Sequence, residues 1–300
     1  MIDITLENTL IGHQNPIYTL AIDEQNGLLY SAGNDKGIVE WDLHTLKFKR
    51  VLCNVPSSVY KLAYITELDL LVASLRTGGL LVIRKSVPEL AAKLAIVKGA
   101  AFVVEAIVSK KELIAIDEFG KAYVWSLDNF ELLYSFQAST TTVRSLVLDE
   151  ANYRLAIGDK NGVVHMLDIR DYHTIQSNKV HTQSVTSLAF VDGYLISGSR
   201  DAKMYKLSPN DLSILAVVTP HMFTVYGIVP LGVSSLFATV SRDKTLKVWN
   251  SDFKLQKNVS RDKGIDSHHL SINAVAYSEK QQLLCTAGDD KLVKVWKVTE

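Results

Sequence analysis

Apolar and polar residues alternate along this chain in short bursts, and the bursts repeat. Between residues 225 and 259, the apolar run Val225–Val229 is followed by turn residues over Pro230–Ser235 and a second run, Leu236–Val240. A tight polar turn, Ser241–Asp243, leads into a third run, Leu246–Asn250, and a weaker fourth, Leu255–Val259. Runs of this length, bounded by Gly, Pro, Ser and Asp, predict β-strands. Four in succession predict a small antiparallel sheet. Such a sheet cannot bury both faces by itself, but a ring of them can.

The turn and third strand recur as a phrase: GNDKGIVEWD from Gly33, SRDKTLKVW from Ser241 and GDDKLVKVW from Gly288. The place of its Trp falls at Trp41, Ile83, Trp125, Leu167, Leu207, Trp249 and Trp296, at spacings of 42, 42, 42, 40, 42 and 47 residues. A period near forty predicts propeller blades. The expected fold is all-β, a seven-bladed β-propeller of four-stranded antiparallel blades, with residues 1–300 as a single domain. Ile2–Ile11 precedes the first innermost strand, and the last unit stops after its third strand. The N-terminal strand is therefore expected to complete the last blade and remove an open sheet edge. The most apolar stretch, Leu90–Val108, carries Lys93, Lys98, Glu105 and Gly99, so it reads as two strands around a turn and not as a membrane span. A short helix over the Ala-rich Glu89–Ala95 is the alternative there.

Polar residues also recur at fixed offsets. Four before the first-strand apolar residues Ile17, Val185, Val225 and Ile272 stand His13, His181, His221 and His268. Six before the Trp place in those units stand Asp35, Asp201, Asp243 and Asp290, and four before each Asp stand Ser31, Ser197, Thr239 and Thr286. With Gly12-His13 and Trp41-Asp42, this pattern resembles the WD-repeat family over the whole chain. The resemblance implies hydrogen-bonded structural tetrads inside blades: His13–Ser31–Asp35–Trp41, His221–Thr239–Asp243–Trp249 and His268–Thr286–Asp290–Trp296. The fifth unit has His181, Ser197 and Asp201, with Leu207 in place of Trp. Units two to four depart: Val55, Gly99 and Ser139 stand in the His place, and Thr77, Phe119 and Asn161 in the Asp place. These blades are expected to rely on packing and on the turn glycines Gly78, Gly120 and Gly162.

A Ser, His and Asp in one unit also suggest a hydrolase triad. Against that, the set occurs four times, its hydroxyl lies on a predicted inner strand, and no Gly-x-Ser-x-Gly elbow accompanies it. Each blade offers too few ligands for a metal, so neither metal nor cofactor is expected, and the chain is read as a non-enzyme. Lys+Arg 32 balances Asp+Glu 32, which gives no general attraction to nucleic acid or an anionic membrane. The two cysteines, Cys53 and Cys285, stand in no metal or redox spacing, and the N-terminus lacks a signal-peptide pattern. A cytoplasmic protein is the expectation.

The WD-repeat resemblance implies that partners dock on the face that holds the turns between second and third strands. Near the turn Asp stand Asn34, Arg76, Arg200, Arg242 and Asp289. Just after the first-strand anchors stand Tyr18, Tyr60, Val104, Arg144, Thr186, Tyr226 and Asn273. Tyr and Arg are enriched at binding hot spots, and Arg pairs with carboxylates. The candidate partner-binding residues are therefore Tyr18, Tyr60, Arg76, Arg144, Arg200, Tyr226 and Arg242. The expected function is an interaction module, monomeric as a fold unit, that holds a peptide or protein segment over the channel mouth; an acidic segment fits it. A structural scaffold using several faces is the alternative, and nucleic-acid binding through the Arg cluster a remote one. The 47-residue spacing places an insertion at Ser260–Ser267, in a loop on the same face.

Overall fold

The computed structural model describes residues 2–96, 99–232 and 235–299. It holds seven four-stranded antiparallel sheets arranged as blades around a ring. The innermost strands are Ile17–Asp23, Val59–Ile65, Ala101–Ile107, Val143–Asp149, Val185–Val191, Val225–Pro230 and Ile272–Ser278. Each packs against the innermost strands of its two neighbours, and the first packs against the last, which closes the ring. The N-terminal strand, Asp3–Ile11, pairs with Leu292–Thr299 as the outer strand of blade 7, with Ile4 opposite Val298 and Leu10 opposite Val293. The chain's two ends are thus joined in one sheet, as the short last repeat required.

The strands of blade 6 fall where the apolar runs placed them, at Val225–Pro230, Leu236–Ser241, Leu246–Asn250 and Leu255–Val259. The apolar stretch after Glu89 forms the outer strand of blade 2, Glu89–Leu94, and the inner strand of blade 3, Ala101–Ile107. The strand wins over the helix because this segment pairs along Leu80–Arg84 and buries Leu94 while Lys93 stays in water. Val97 and Lys98 of the turn between them, and Val233 and Ser234 of the Pro230–Ser235 turn, lie outside the described residues.

The core lies between blades and leaves the ring's axis open. One apolar cluster joins Leu70, Val72, Leu80 and Val82 of blade 2 to Val104, Leu113 and Trp125 of blade 3. Another joins Leu29, Val39 and Trp41 of blade 1 to Val293, Val295 and Cys285 of blade 7. Each such buried Leu or Val contributes about 1.5–3 kcal/mol, so the neighbour's face is what makes a blade stable. Among the described residues, no helix is long and apolar enough to cross a membrane.

Candidate functional site: the ringed mouth of the channel

Two devices hold the turns of one face in place. The first is the tetrad. In blade 1, His13 Nδ1 lies 2.6 Å from Asp35, His13 Nε2 lies 2.6 Å from Ser31 Oγ, and the Trp41 indole N–H donates to that hydroxyl at 2.7 Å. Blades 6 and 7 repeat it through His221, Thr239, Asp243 and Trp249, and through His268, Thr286, Asp290 and Trp296. Blade 5 keeps His181, Ser197 and Asp201, and Tyr205 meets the His181 ring edge-on at 4.7 Å. Each carboxylate also accepts the backbone N–H of the residue after the His: Gln14, Thr182, Met222 or His269. Burial works against the charge of Asp243, yet bonds from His221, Thr245 and the Met222 N–H outweigh it and hold its carboxyl well below the usual range. Burial also lowers the pKa of His181 and His221, which keeps these rings neutral.

The second device corrects the expectation that blades 3 and 4 have lost their polar set. Asp117 and Asp159, two residues before the expected place, do the work. Asp159 Oδ1 accepts the N–H groups of Asn161 and Val163 at 2.9 and 3.0 Å. Its Oδ2 accepts the Ser139 hydroxyl at 2.9 Å and faces His165 Nε2 at 3.2 Å. Asp117 likewise accepts the N–H groups of Phe119 and Lys121, and the Tyr123 hydroxyl. His165 and Tyr123 both stand two residues before the Trp place, so each blade draws a side-chain donor from its third strand, to which blade 4 adds Ser139 of the entering loop. Gly120 and Gly162 close these turns at φ near +80° and +84°, where an added Cβ would meet a carbonyl 2.1 Å away.

With the turns fixed, the innermost strands shape the mouth. The pairing of every innermost strand slips by one residue just after its first. Such a bulge re-aims one side chain. The seven bulged residues are Tyr18, Tyr60, Phe102, Arg144, Thr186, Tyr226 and Asn273, and all of them line one opening of about 280 Å³. Val104 is corrected here. It is buried in the channel wall, while the mouth position of blade 3 is Phe102, because the anchor of that strand is Ala101 and not a larger apolar residue. The constant spacing of 42 from Val59 to Ala101 to Val143 carries that signal.

Aromatic rings run around three adjacent blades of this opening, and an arginine follows on the fourth. Tyr18 and Tyr60 lie 6.2 Å apart, Tyr60 stacks on Phe102 at 4.8 Å, and the Arg144 guanidinium sits 3.8 Å above Phe102. Burial pulls Arg144 below the usual arginine value, and Arg200 adds to the effect. Burial raises the Tyr18 phenol, helped by Asp289 and Tyr60 and opposed by Arg76.

Arg76, Arg200 and Arg242 are exposed and form part of a second ring outside the first. Their N–H groups donate to the carbonyls of Ser58, Ser184 and Thr224, each just before an innermost strand. Asn34, Lys160 and Asp289 make the same bond in their blades. The structure therefore places Tyr18, Tyr60, Arg144 and Tyr226 at the opening, with the three other arginines around it. The insertion forms a short 3-10 turn, Arg261–Lys263, beside the Asp243–Thr245 turn on this face.

Among the described residues, no group of three or more His, Cys, Asp and Glu is placed to hold a metal ion. Burial pushes the Cys285 thiol up to about 12, which keeps it protonated.

The ring of seven sheets defines a β-propeller whose polar devices serve its turns. Three segments, residues 4–42, 213–250 and 261–297, match the family of the WD domain, G-beta repeat, and they hold the three complete tetrads. The chain thus carries WD repeats in these three segments. It is 26% identical over 61% of its length to the WD repeat-containing protein srw1 of Schizosaccharomyces pombe, covering 33% of that protein. It is 26% identical over 49% of its length to the APC/C activator protein CDH1 of Saccharomyces cerevisiae, covering 26% of it. The chain thus spans a third or less of these relatives. The WD40 β-propeller domain of Doa1 superposes with a TM-score of 0.85 over 99% of this chain and 97% of that one, at 17% identity, which shows a shared fold. Another relative, 29% identical over 42% of this chain and 40% of its own length, is the probable cytosolic iron-sulfur protein assembly protein 1 of Candida glabrata.

Proposed function

We infer that this chain is a non-enzymatic interaction module that holds an extended protein segment across the channel mouth. The observation that carries this reading is the set of seven bulges, which turn one side chain per blade toward a single opening. The polar groups that resemble catalytic sets are occupied elsewhere. Each His is bonded to its Asp and to the Ser or Thr hydroxyl, each Asp also accepts a backbone N–H of the loop, and the hydroxyl accepts from an indole where a Trp is present. What faces outward is aromatic surface with arginine, the chemistry of a protein hot spot. CDH1 is named as an activator of another assembly, which agrees with a role exerted through contact. Arg144, Lys160, Arg200 and Arg242 on blades 4 to 6 favour an acidic segment, and the reading includes a cytoplasmic, monomeric unit.

A double change, Tyr60→Ala with Arg144→Ala, removes the centre of the aromatic row and its cation. The expected outcome is loss of the partners captured by affinity purification and identified by mass spectrometry, with melting temperature within a few degrees of the parent. Retention of every partner by the double variant would refute the reading.

A further inference from the structure

One pair of loop residues on the partner face differs from its counterparts in blades 1, 4 and 5. The two residues after the tetrad His place are Gln14–Asn15 in blade 1, Thr140–Thr141 in blade 4 and Thr182–Gln183 in blade 5. In blade 6 they are Met222–Phe223, 81% and 52% exposed. The fold does not ask for them. The Met222 backbone N–H binds Asp243 just as Gln14 and Thr182 bind their own carboxylates, and the side chain has no part in it. Leu270, the counterpart of Phe223 in blade 7, is 43% exposed as well. Large apolar side chains kept in water mark interaction sites when they cluster.

Beside this lip lies a notch of about 260 Å³, walled by the Asp243–Thr245 turn, the inserted Ser260–Asp262 segment and His268–His269. Two carboxylates at or behind its walls are turned inward: Asp243 faces His221, and Asp290 faces His268. Asp266 pairs with Lys294 at 3.2 Å. The charges left outward are Arg242, Lys244, Arg261 and Lys263, against Asp262. Arg242 lies 5.9 Å from the Phe223 ring, which joins the cations to the apolar lip. A chain of zero net charge therefore carries a local excess of cations here, fused to unpaired apolar surface.

We propose that this notch and its lip form a second docking element, for an acidic protein segment that carries an apolar side chain. The apolar group covers Met222, Phe223 and Leu270, and the carboxylates meet Arg242, Lys244 and Arg261. A nucleic acid fits less well, because of the three lip residues Phe223 alone offers a ring for a base to stack on, and Met222 and Leu270 offer none. The inference shares with the channel-mouth reading the choice of face, the acidic class of the segment and Arg242; its site is otherwise separate.

The test is fluorescence anisotropy on the full chain with a short labelled peptide in which Glu alternates with Leu and Phe. Three comparison probes replace its Glu by Lys, replace its Leu and Phe by Ser, or substitute labelled oligothymidylate. The variant Met222→Gln with Phe223→Asn copies the blade 1 loop and leaves the backbone bonds in place. The variant Lys244→Glu with Arg261→Glu reverses the local charge. Each is expected to weaken the acidic peptide by about tenfold at unchanged melting temperature, and the three comparison probes are expected to bind more weakly than the acidic peptide. Loss of the acidic peptide in Tyr60→Ala with Arg144→Ala, but not in the rim variants, would overturn the notch and leave the mouth reading standing. Loss in the rim variants alone upholds the notch and separates it from the mouth. The proposal also falls if the acidic peptide does not bind, or if the Lys peptide binds as tightly. Oligothymidylate binding as tightly would assign the notch to nucleic acid and overturn it too.

Discussion

Blades 1, 5, 6 and 7 and blades 2, 3 and 4 build the same turn with different chemistry. In the first group, a carboxylate six residues before the Trp place bonds a His from the loop that enters the blade. In blades 3 and 4 the carboxylate stands eight before, caps its own turn and draws a side-chain donor from the third strand. Blade 2 has neither: Ser57 and Thr77 hydroxyls meet at 3.0 Å, and the Leu75 N–H donates to Gly79 across the turn. The residue five before the Trp place shows the same division. It has positive φ throughout, but it is Lys36, Ala202, Lys244 and Lys291 in the first group and Gly78, Gly120 and Gly162 in the second. Where the His spans loop to turn, a side chain is tolerated there. Where it does not, another backbone comes within reach of the turn, and glycine is needed. The constant object within this ring is the turn's geometry, since three different residue sets produce it.

The comparison breaks most sharply at blade 6. Asp243→Ala leaves His221 without its carboxylate and strands the N–H groups of Met222 and Thr245. The expected loss is about 3–5 kcal/mol, against about 0.5 kcal/mol or less for the exposed Asp252→Ala. Equal melting temperatures for the two variants would deny the tetrad any mechanical role. The same contrast sharpens blade 4. Asp159→Ala is expected to cost about 2–3 kcal/mol, because Ser139 and two turn N–H groups lose their acceptor, whereas the exposed Asn161→Ala is close to neutral. Chemical denaturation of both variants checks it, and an Asn161 effect as large as that of Asp159 would restore the original assignment.

The propeller was legible because a strand period of two lies inside a blade period near forty, and both survive sequence drift. The tetrads were legible because four units keep fixed offsets. Asp117 and Asp159 were not, because offsets taken from the tetrad blades were carried to blades that use another geometry. Phe102 was missed for a related reason. The anchors of the other inner strands are Ile or Val, while Ala101 fills that place in blade 3 and is fully buried. The bulges themselves leave no mark in composition, so that Tyr60, Phe102 and Arg144 form a continuous stack could be read only from the backbone. Met222 and Phe223 look like ordinary apolar residues in sequence. Their exposure, and the polar residues at the equivalent places in blades 1, 4 and 5, give them meaning.

Acid separates the two groups of blades more gently. In an unfolded chain a His titrates near about 6.5. Burial depresses His181 and His221 in the fold, so below that pH the unfolded chain takes up protons that the folded blades refuse. The stability held above about pH 6.5 is therefore lost as the pH falls toward the folded values, by at most about 1.4 kcal/mol per pH unit for each ring. The tetrad carboxylates do not contribute to that slope. Their folded values are depressed, so their contribution persists until the pH nears the unfolded value of about 3.9 and is lost below it. Blade 3 contains no His and gives the internal control. Hydrogen exchange followed by mass spectrometry, corrected for intrinsic rates, should show protection falling first in Tyr194–Ser199 and Leu236–Ser241 between about pH 7 and pH 5.5, with Glu112–Asp117 holding longer. If all three strands lose protection together, acid acts on the closed ring as one cooperative unit, and the division between blades is one of construction and not of local stability.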